Sequence, residues 1–204
     1  MVPMRGKPPA LARPRLRQGV DESSLNPPTD IELFEELILP HMNAAYNLAR
    51  WLTRNDSDAE DVVQEAFLRA FRFFGGYQGG DAKSWLLAVV RNTCHSWCRR
   101  EKRVDTIPLE EVAHSPRLAA SGEETPNGEQ RLLDQARADA LRGCIEALPL
   151  DYREVLVMRE LEEMSYRQIA EVAGLPIGTV MSRLSRARKR LEECIGRWNS
   201  GASK

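Results

Sequence analysis

The sequence predicts an all-α protein of two small helical domains that are joined by a flexible acidic linker. Its 204 residues can form two such domains. Hydrophobic residues make up 42% and charged residues 29% of the chain, as in globular proteins. Apolar residues recur at helical spacing, and no alternating β-branched runs appear. We therefore expect helices to form both cores.

Composition sets the predicted domain boundaries. Residues 1–30 are rich in Pro and Arg and have little with which to build a core, so we expect a disordered tail and assign it no function. The first domain spans residues 31–100. Residues 101–130 lose the helical pattern and carry seven acids among prolines and glycines, which is typical of a linker. The second domain spans residues 131–198, and a tail follows at 199–204.

The first domain should begin and end with helical segments. An apolar stripe runs through residues 31–52, and Pro40 marks a break or an early turn within it. The last helix of this domain is expected from about Ser84 to Arg100. Both segments present apolar residues at helical spacing, so both should pack on the helix between them.

That middle helix is the most clearly delimited element. Ser57 and Glu60 have the spacing of a capping box, and an apolar face continues from there to Phe74. Glycines at positions 75, 76, 79 and 80 should end the helix and form a flexible loop around Tyr77.

The second domain has the spacing of a helix-turn-helix. Ala170 is small where two helices approach, Gly174 allows the positive φ of a tight turn, and Val180 fills the space between the helices. Ser165 and Gln168 should cap the first helix. The second helix then keeps a polar face that fits a DNA major groove. An ordinary helical hairpin with a solvated basic surface is the alternative.

Charge is strongly segregated although the net charge is only −1. Residues 31–74 hold eight acids and four bases, whereas residues 82–103 hold six bases and one acid. Residues 177–190 hold five bases and no acid. Two separate basic stripes indicate two contacts with a polyanion.

The cysteine pattern and the absence of an export signal predict that the protein works in a reducing cytoplasm. The four cysteines are too scattered for a disulfide framework, and neither an export signal nor a membrane-spanning run appears, so we expect no membrane insertion. Cys94, His95 and Cys98 could be metal ligands, but zinc usually takes four, and Cys94 falls on an apolar stripe; packing is favoured and no metal site is expected.

Catalytic patterns are missing from the sequence. We find no paired carboxylates, no nucleophile with a base, and no phosphate-binding loop, because Gly75 to Gly80 lack a following Lys-Ser/Thr. We therefore expect no enzyme activity, no catalytic residue and no cofactor.

Four motifs occur in a characteristic order. They are DAEDVVQEAFLRAF at 58–71, Trp-Leu at 85–86, Arg-Asn-Thr at 91–93 and the helix-turn-helix at 165–184. In order and spacing they resemble the sigma-70 family of bacterial RNA polymerase sigma factors, in its extracytoplasmic-function branch. The resemblance covers about residues 31–198.

The resemblance implies that the first domain is sigma region 2, which binds core RNA polymerase and opens the promoter −10 element. The resemblance implies that the helix 58–74 docks on the polymerase, although about half of this helix must also pack in the core. We therefore nominate only its polar face as the polymerase contact: Asp61, Gln64, Glu65, Leu68 and Arg69. The residues implied in −10 recognition are Tyr77, Trp85, Asn92, His95, Arg99 and Arg100, although Trp85 could equally belong to the core.

The resemblance also implies that the second domain is sigma region 4, which reads the −35 element. The contacts it transfers to this chain are Thr179, Met181, Ser182, Arg183, Ser185, Arg186 and Arg188, with Arg183 and Arg188 near the DNA backbone. Many relatives have Arg at the position of Met181, so a bidentate guanine contact is replaced here by an apolar one. The −35 preference therefore does not transfer.

The implied partners are core RNA polymerase, promoter DNA and an anti-sigma factor. An anti-sigma factor would occlude both domains, and the flexible linker would let the domains close around it. Two alternatives remain at this level. A stand-alone helix-turn-helix regulator would bind a palindrome as a dimer without polymerase. An adaptor would bind a protein without contacting DNA.

Overall fold

A computed structural model describes residues 30–104 and 128–201 of the chain. These two ranges form eight α-helices and two short 3-10 turns, with no strand in either range. The first unit consists of α1 (Asp30–Ile38), α2 (Met42–Thr53), α3 (Asp56–Phe73) and α4 (Ala82–Val104). The second consists of α5 (Gly128–Glu146), α6 (Leu150–Glu160), α7 (Tyr166–Ala173) and α8 (Ile177–Gly201). The all-α class and the two helical domains are confirmed.

Helix occupies both ends of the predicted linker. α4 continues to Val104 rather than ending at Arg100, and α5 already begins at Gly128. The prediction over residues 105–127, and the predicted tail over residues 1–29, lie outside the described residues.

The break predicted at Pro40 is confirmed, because a 3-10 turn over Leu39–His41 separates α1 from α2. The predicted start of α3 was wrong by two residues. Asn55, not Ser57, caps the helix: its side chain accepts hydrogen bonds from the backbone N–H groups of Ser57 and Asp58 at 2.8 and 3.3 Å. Arg54 ends α2 in the left-handed region at φ 65°, so the chain reverses early and Asn55 takes the extended cap conformation.

The glycine-rich segment after α3 is anchored by aromatic packing. Gly79 and Gly80 have φ values of 87° and 105°, which glycine adopts without strain. Tyr77 stacks on Phe74 with ring centroids 5.6 Å apart, and its ring lies 5.3 Å from that of Trp85. The Tyr77 hydroxyl donates to the carbonyl of Gly80 at 3.0 Å. The predicted flexible loop is therefore fixed to the core by its own side chain.

The helix-turn-helix forms as predicted. Gly174 ends α7 with φ 64°, Val180 is fully buried, and the Ser165 and Gln168 side chains make a reciprocal capping box. The turn brings α8 back across α7, and one face of α8 is left outside.

The two units share one hydrophobic core. α7 packs against α4, and α6 packs against α2. A single cluster of buried side chains extends from Leu86 and Val90 of α4 to Ile169 of α7 and Leu184 of α8. The two domains are thus packed on each other, and both basic stripes lie on helices of this joint body.

Cysteine pairing contradicts the expectation from sequence. Cys144 of α5 and Cys194 of α8 form a disulfide across 50 residues of chain, with Cα atoms 5.8 Å apart. The pairing was missed because it depends on how α5 and α8 cross, which spacing alone does not reveal. Cys94 is fully buried, as its place on the apolar stripe of α4 predicts, and burial raises the pKa of its thiol.

The described ranges contain no candidate for a membrane span or for a metal site. Neither range contains a helix that is long and apolar enough to cross a membrane. Groups of three or more His, Cys, Asp or Glu side chains able to hold a metal ion are also missing from both ranges.

Candidate nucleic-acid and polymerase interfaces

A buried carboxylate, Glu154 of α6, joins the two units. Arg91 of α4 donates to it twice, from Nε at 2.7 Å and from Nη2 at 3.1 Å. His95 Nε2, also on α4, lies 2.7 Å from Glu154 Oε2, and Arg183 Nη1 of α8 donates to Oε1 at 3.2 Å. We call these four residues the Glu154 cluster.

The cluster keeps Glu154 ionised in spite of its burial. Its side chain is 0% exposed, and burial alone would raise the pKa of the carboxyl. The hydrogen bonds from His95 and Arg91, together with the charge of Arg91, outweigh that effect and hold the pKa of Glu154 below its ordinary value. A buried charge with several donors is strongly stabilised, and it becomes costly when a donor is removed.

A second acid of the second unit, Glu162, also pairs with a basic side chain of α4. Lys83 of α4 donates to both Glu162 Oε2 and the Glu162 backbone carbonyl at 2.9 Å. Glu162, in the turn between α6 and α7, is 7% exposed. Acids of the second unit therefore lie against three side chains of α4's basic stripe: Lys83, Arg91 and His95.

A third contact lies beside the aromatic cluster. The Gln168 side chain donates to Asp81 Oδ2 at 2.6 Å, and Ser84 donates to the same oxygen at 2.6 Å. Burial would raise the pKa of Asp81, but these hydrogen bonds hold it below its ordinary value. Gln168 thus caps α7 through its backbone contact and links α7 to the first unit.

The residues nominated for the −10 element fall into two groups. Tyr77 and Trp85 are 8% and 4% exposed, so neither ring is open to a base in this arrangement. The burial of Trp85 fits the alternative that this residue belongs to the core. His95 is occupied by Glu154. The group that remains exposed on α4 is Asn92, Arg99 and Arg100.

The residues nominated for the −35 element also divide. Met181, Ser182, Ser185 and Arg186 are exposed on one side of α8, with half-buried Thr179 next to them. Arg183 is drawn inward to Glu154 and also donates to Asp151 at 3.1 Å. Arg188 pairs with Glu160 at 2.7 Å. In this arrangement, protein acids hold the two arginines nominated for the DNA backbone.

The nominated polymerase face is open on α3. Asp61, Gln64 and Leu68 are exposed, whereas Glu65 pairs with Arg69 on α3 and with Arg100 of α4. The apolar face predicted up to Phe74 includes Phe71 but not Phe73, yet the Phe71 and Phe73 rings are 48% and 60% exposed. They extend the surface of α3 with apolar area at its C-terminal end. The sequence carried a signal of this exposed apolar surface: three of the four residues 71–74 are aromatic, and one buried face of a helix cannot hold all three.

Two family models match the chain, each within one unit. Sigma-70 region 2 matches residues 37–104, and sigma-70 region 4 matches residues 138–191. The matches follow the order of the two helical units.

Curated relatives align across most of the chain. The extracytoplasmic-function RNA polymerase sigma factor SigE of Mycolicibacterium smegmatis is 34% identical over 82% of this chain, which spans 63% of that relative's length. SigM of Mycobacterium tuberculosis is 32% identical over 83% of this chain and 81% of its own. The sigma-E factor of Escherichia coli is 34% identical over 68% of this chain and 74% of its own.

Solved structures agree in fold. The sigma factor RpoE of Bartonella quintana, solved with the anti-sigma factor NepR, covers 80% of this chain and 96% of its own, with 28% identity and a TM-score of 0.64. CnrH, solved with the cytosolic domain of CnrY, covers 80% and 88% with 23% identity and a TM-score of 0.55, a likeness of fold alone.

Two helical units that match region 2 and region 4 in order define an RNA polymerase sigma factor, a transcription regulator. The chain belongs to the sigma-70 family, and the relatives that it matches place it in the extracytoplasmic-function branch.

Replacing Glu154 by Gln should destabilise the protein, because the variant leaves Arg91 and Arg183 buried or half-buried without their shared anion. We expect the free energy of unfolding to fall by about 3 kcal/mol, as measured by urea denaturation followed by circular dichroism. Glu160→Gln is the matched control: it removes a surface pair with Arg188, so the loss should stay below about 1 kcal/mol.

The effect should also depend on pH with a definite sign. Because the folded-state pKa of Glu154 lies below the ordinary value of 4.5, its stabilisation is complete above that pH and is lost as the pH falls through the folded pKa. The difference between wild type and Glu154→Gln should therefore shrink only in acid. A constant difference down to the acid unfolding transition would contradict this role of the carboxylate.

Proposed function

We propose that this sigma factor reads the −35 element with the exposed face of α8 and the −10 element with α4, while α3 holds core RNA polymerase. We further propose that the packed arrangement of the two units is a resting form. Its place of action is then the cytoplasm, where polymerase and promoters are found.

The observation that carries the −35 assignment is the outer face of α8. Ser182, Ser185 and Arg186 project from the recognition helix of the helix-turn-helix, and residues 177–190 hold no acid that would repel phosphate. Hydroxyl and guanidinium groups can donate to base edges in the major groove. Met181, 52% exposed, adds an apolar contact of the kind that a thymine methyl group accepts.

The proposed −10 role of α4 explains why the packed arrangement would be a resting form. Strand opening requires unstacked bases and phosphates to be held on a basic surface. In the packed arrangement the acids Glu154 and Glu162 occupy Arg91, His95 and Lys83, so DNA would have to displace them. The units must therefore separate before α4 can hold the promoter along its whole basic stripe.

The polymerase assignment is supported by what remains exposed on α3. Asp61, Gln64 and Leu68 form a mixed polar and apolar strip, and a shallow groove between α2 and α3 runs beside it, lined by Met42, Tyr46, Glu60, Val63 and Gln64. A strip that combines an acid, an amide and an apolar side chain suits a protein partner better than DNA.

An anti-sigma factor is a further partner that we propose. RpoE of Bartonella quintana was solved in complex with the anti-sigma factor NepR, and it covers most of this chain. A regulator of that kind would act here by stabilising the packed arrangement, since it would then block the basic stripe of α4 without contacting each residue of it.

Arg186→Ala should reduce promoter use without altering the fold, because it removes one exposed donor from α8. We expect roughly tenfold fewer transcripts in run-off transcription on fragmented genomic DNA of the source organism with purified core polymerase. Arg167→Ala, an exposed arginine of α7 outside the recognition helix, is the control and should behave as wild type. Transcription at wild-type level by the Arg186 variant would contradict the −35 assignment, and gel shifts equally strong without core enzyme would favour a stand-alone regulator.

Leu68→Asp should weaken binding to core polymerase, since it puts a charge in place of the apolar side chain of the α3 strip. We expect about a tenfold loss of affinity or more, measured by fluorescence anisotropy with labelled sigma factor. Leu161→Asp, an exposed leucine of the second unit, is the matched control. Equal losses for the two variants would argue against docking through α3.

Glu162→Lys should open the packed arrangement, because the new cation faces Lys83 in a buried contact. We expect a larger radius of gyration by small-angle X-ray scattering and tighter binding to a pool of random single-stranded DNA. Glu163→Lys changes an exposed neighbour by the same charge and should leave both quantities near wild type. If the two variants gained DNA affinity equally, added charge rather than opening would be the cause.

A further inference from the structure

The disulfide lies at the point where α5 meets the rest of the protein. Cys144 is in the last turn of α5 and Cys194 is on the C-terminal half of α8. Their Cα atoms, 5.8 Å apart, are at a distance that a disulfide bridges without moving the backbone. None of the roles proposed above uses either sulfur.

α5 is attached to the protein body by its last turn. Its described side chains are exposed at Arg131 and throughout 134–139. Burial begins at Cys144 and Ile145, and Leu148 follows just after the helix. Ile145 and Leu148 belong to a small cluster with Leu156 of α6 and Ala187 of α8. Among the described side chains of α5, the disulfide therefore reinforces a contact that a few buried residues make at its last turn.

The same turn also touches the first unit. Arg54 of α2 donates to the Glu146 carbonyl at 3.4 Å, and Arg50 of α2 lies 3.5 Å from the Glu146 carboxylate. Buried Arg153 of α6 donates to that carbonyl at 2.8 Å. Glu146 is two residues from Cys144, so fixing Cys144 on α8 also fixes the backbone that α2 holds. Trp51 of α2 packs against the same small cluster.

We propose that Cys144 and Cys194 are a reversible thiol–disulfide site, and that oxidation fastens the second unit onto the first. The regulatory half of this proposal rests on the function proposed above. Disulfides in the reducing cytoplasm are usually transient and redox-sensing rather than structural. Cys144 is buried and Cys194 is half-buried, so a small thiol or disulfide reaches the pair from the side of Cys194.

The chemistry is a thiol–disulfide exchange with a low-molecular-weight disulfide as the oxidant. The Cys194 thiolate attacks that disulfide, forms a mixed disulfide and releases one small thiolate. The Cys144 thiolate then attacks Sγ of Cys194, forms the protein disulfide and releases the second small thiolate. Two protein thiols lose two electrons and two protons, and one small disulfide becomes two thiols. Excess small thiol reverses both steps.

Oxidation then acts on transcription through the packed arrangement. In the oxidised chain the end of α5, with Glu146, is held on α8 and against α2. In the reduced chain that end is held only by its apolar cluster and by the contacts of Arg50, Arg54 and Arg153 with Glu146, so the units separate more readily and α4 becomes available to DNA. The oxidised protein is accordingly the less active form.

Thiol counting tests the site itself. The full chain is equilibrated in glutathione buffers of varied redox ratio, quenched with acid, denatured and labelled with maleimide-polyethylene glycol. Because the chain has four cysteines, the wild type should pass from four labels to two as the buffer becomes oxidising. Cys98→Ser should pass from three labels to one, and Cys194→Ser should keep three throughout. Four labels on the wild type at every ratio would overturn the proposal.

Thermal melting and small-angle scattering test, without DNA or polymerase, whether oxidation fastens the second unit onto the first. We expect the oxidised wild type to melt roughly 5–10 °C higher than the reduced form and to have a smaller radius of gyration. Cys98→Ser should respond in the same way, and Cys194→Ser should not respond to redox state. Equal melting points and radii in both redox states would overturn the proposal. Run-off transcription should fall on oxidation for the wild type and for Cys98→Ser, but not for Cys194→Ser. An absence of transcripts in both states would instead count against the proposed function, because the thiol and melting results do not depend on it.

Discussion

The packing of the two units depends on how the charge of Glu154 is neutralised. A carboxylate without solvent exposure requires several donors, and these come from both units: Arg91 and His95 from α4, Arg183 from α8. The cluster is therefore complete only when α4 lies against α6 and α8. The shared hydrophobic core supplies non-directional attraction between the units, whereas the Glu154 cluster selects which surfaces meet. Because breaking one of its contacts leaves charge buried, the cluster disfavours partial separation more than a purely apolar interface would.

The cations of this cluster have two alternative sets of partners. Carboxylates of the second unit and phosphates of DNA offer similar oxygen acceptors to the same guanidinium groups, and one side chain cannot hold both. Glu154 and Glu162 thus occupy places that phosphates would take on α4 in its proposed −10 role, and Arg183 is drawn inward to Glu154. The exposed residues of that face, among them Ser185 and Arg186, are not engaged in this way. The packed form therefore obstructs the −10 surface proposed on α4 more completely than the −35 surface proposed on α8.

Sequence reasoning succeeded where the physical cause is local. The capping box of Ser165 and the positive φ of Gly174 depend on neighbours a few residues away, so spacing was enough to predict them. It failed where the cause is tertiary. Glu154 stands within the buried run 153–158, and nothing in that run shows that its partners are Arg91 and His95, 63 and 59 residues earlier, and Arg183, 29 residues later. The Cys144–Cys194 pairing has the same origin. The resemblance implied a −10 contact for Tyr77, which stays a prediction, but the sequence did not show that Tyr77 packs on Phe74 and Trp85 in this arrangement.

The position of the α3 strip limits how the packed form can be opened. Asp61, Gln64 and Leu68 are exposed while the units are packed, so a partner that contacts only these residues binds the packed and separated forms equally well. A ligand shifts a conformational equilibrium only by its difference in affinity for the two states. Docking through α3 therefore cannot by itself separate the units, however tight it is. Separation has to be driven by a ligand that competes for the Glu154 cluster, or by polymerase contacts with the second unit that its packed position does not permit. In the proposed −10 role of α4, promoter phosphates meet the first condition, because Arg91 would pair with them only after leaving Glu154.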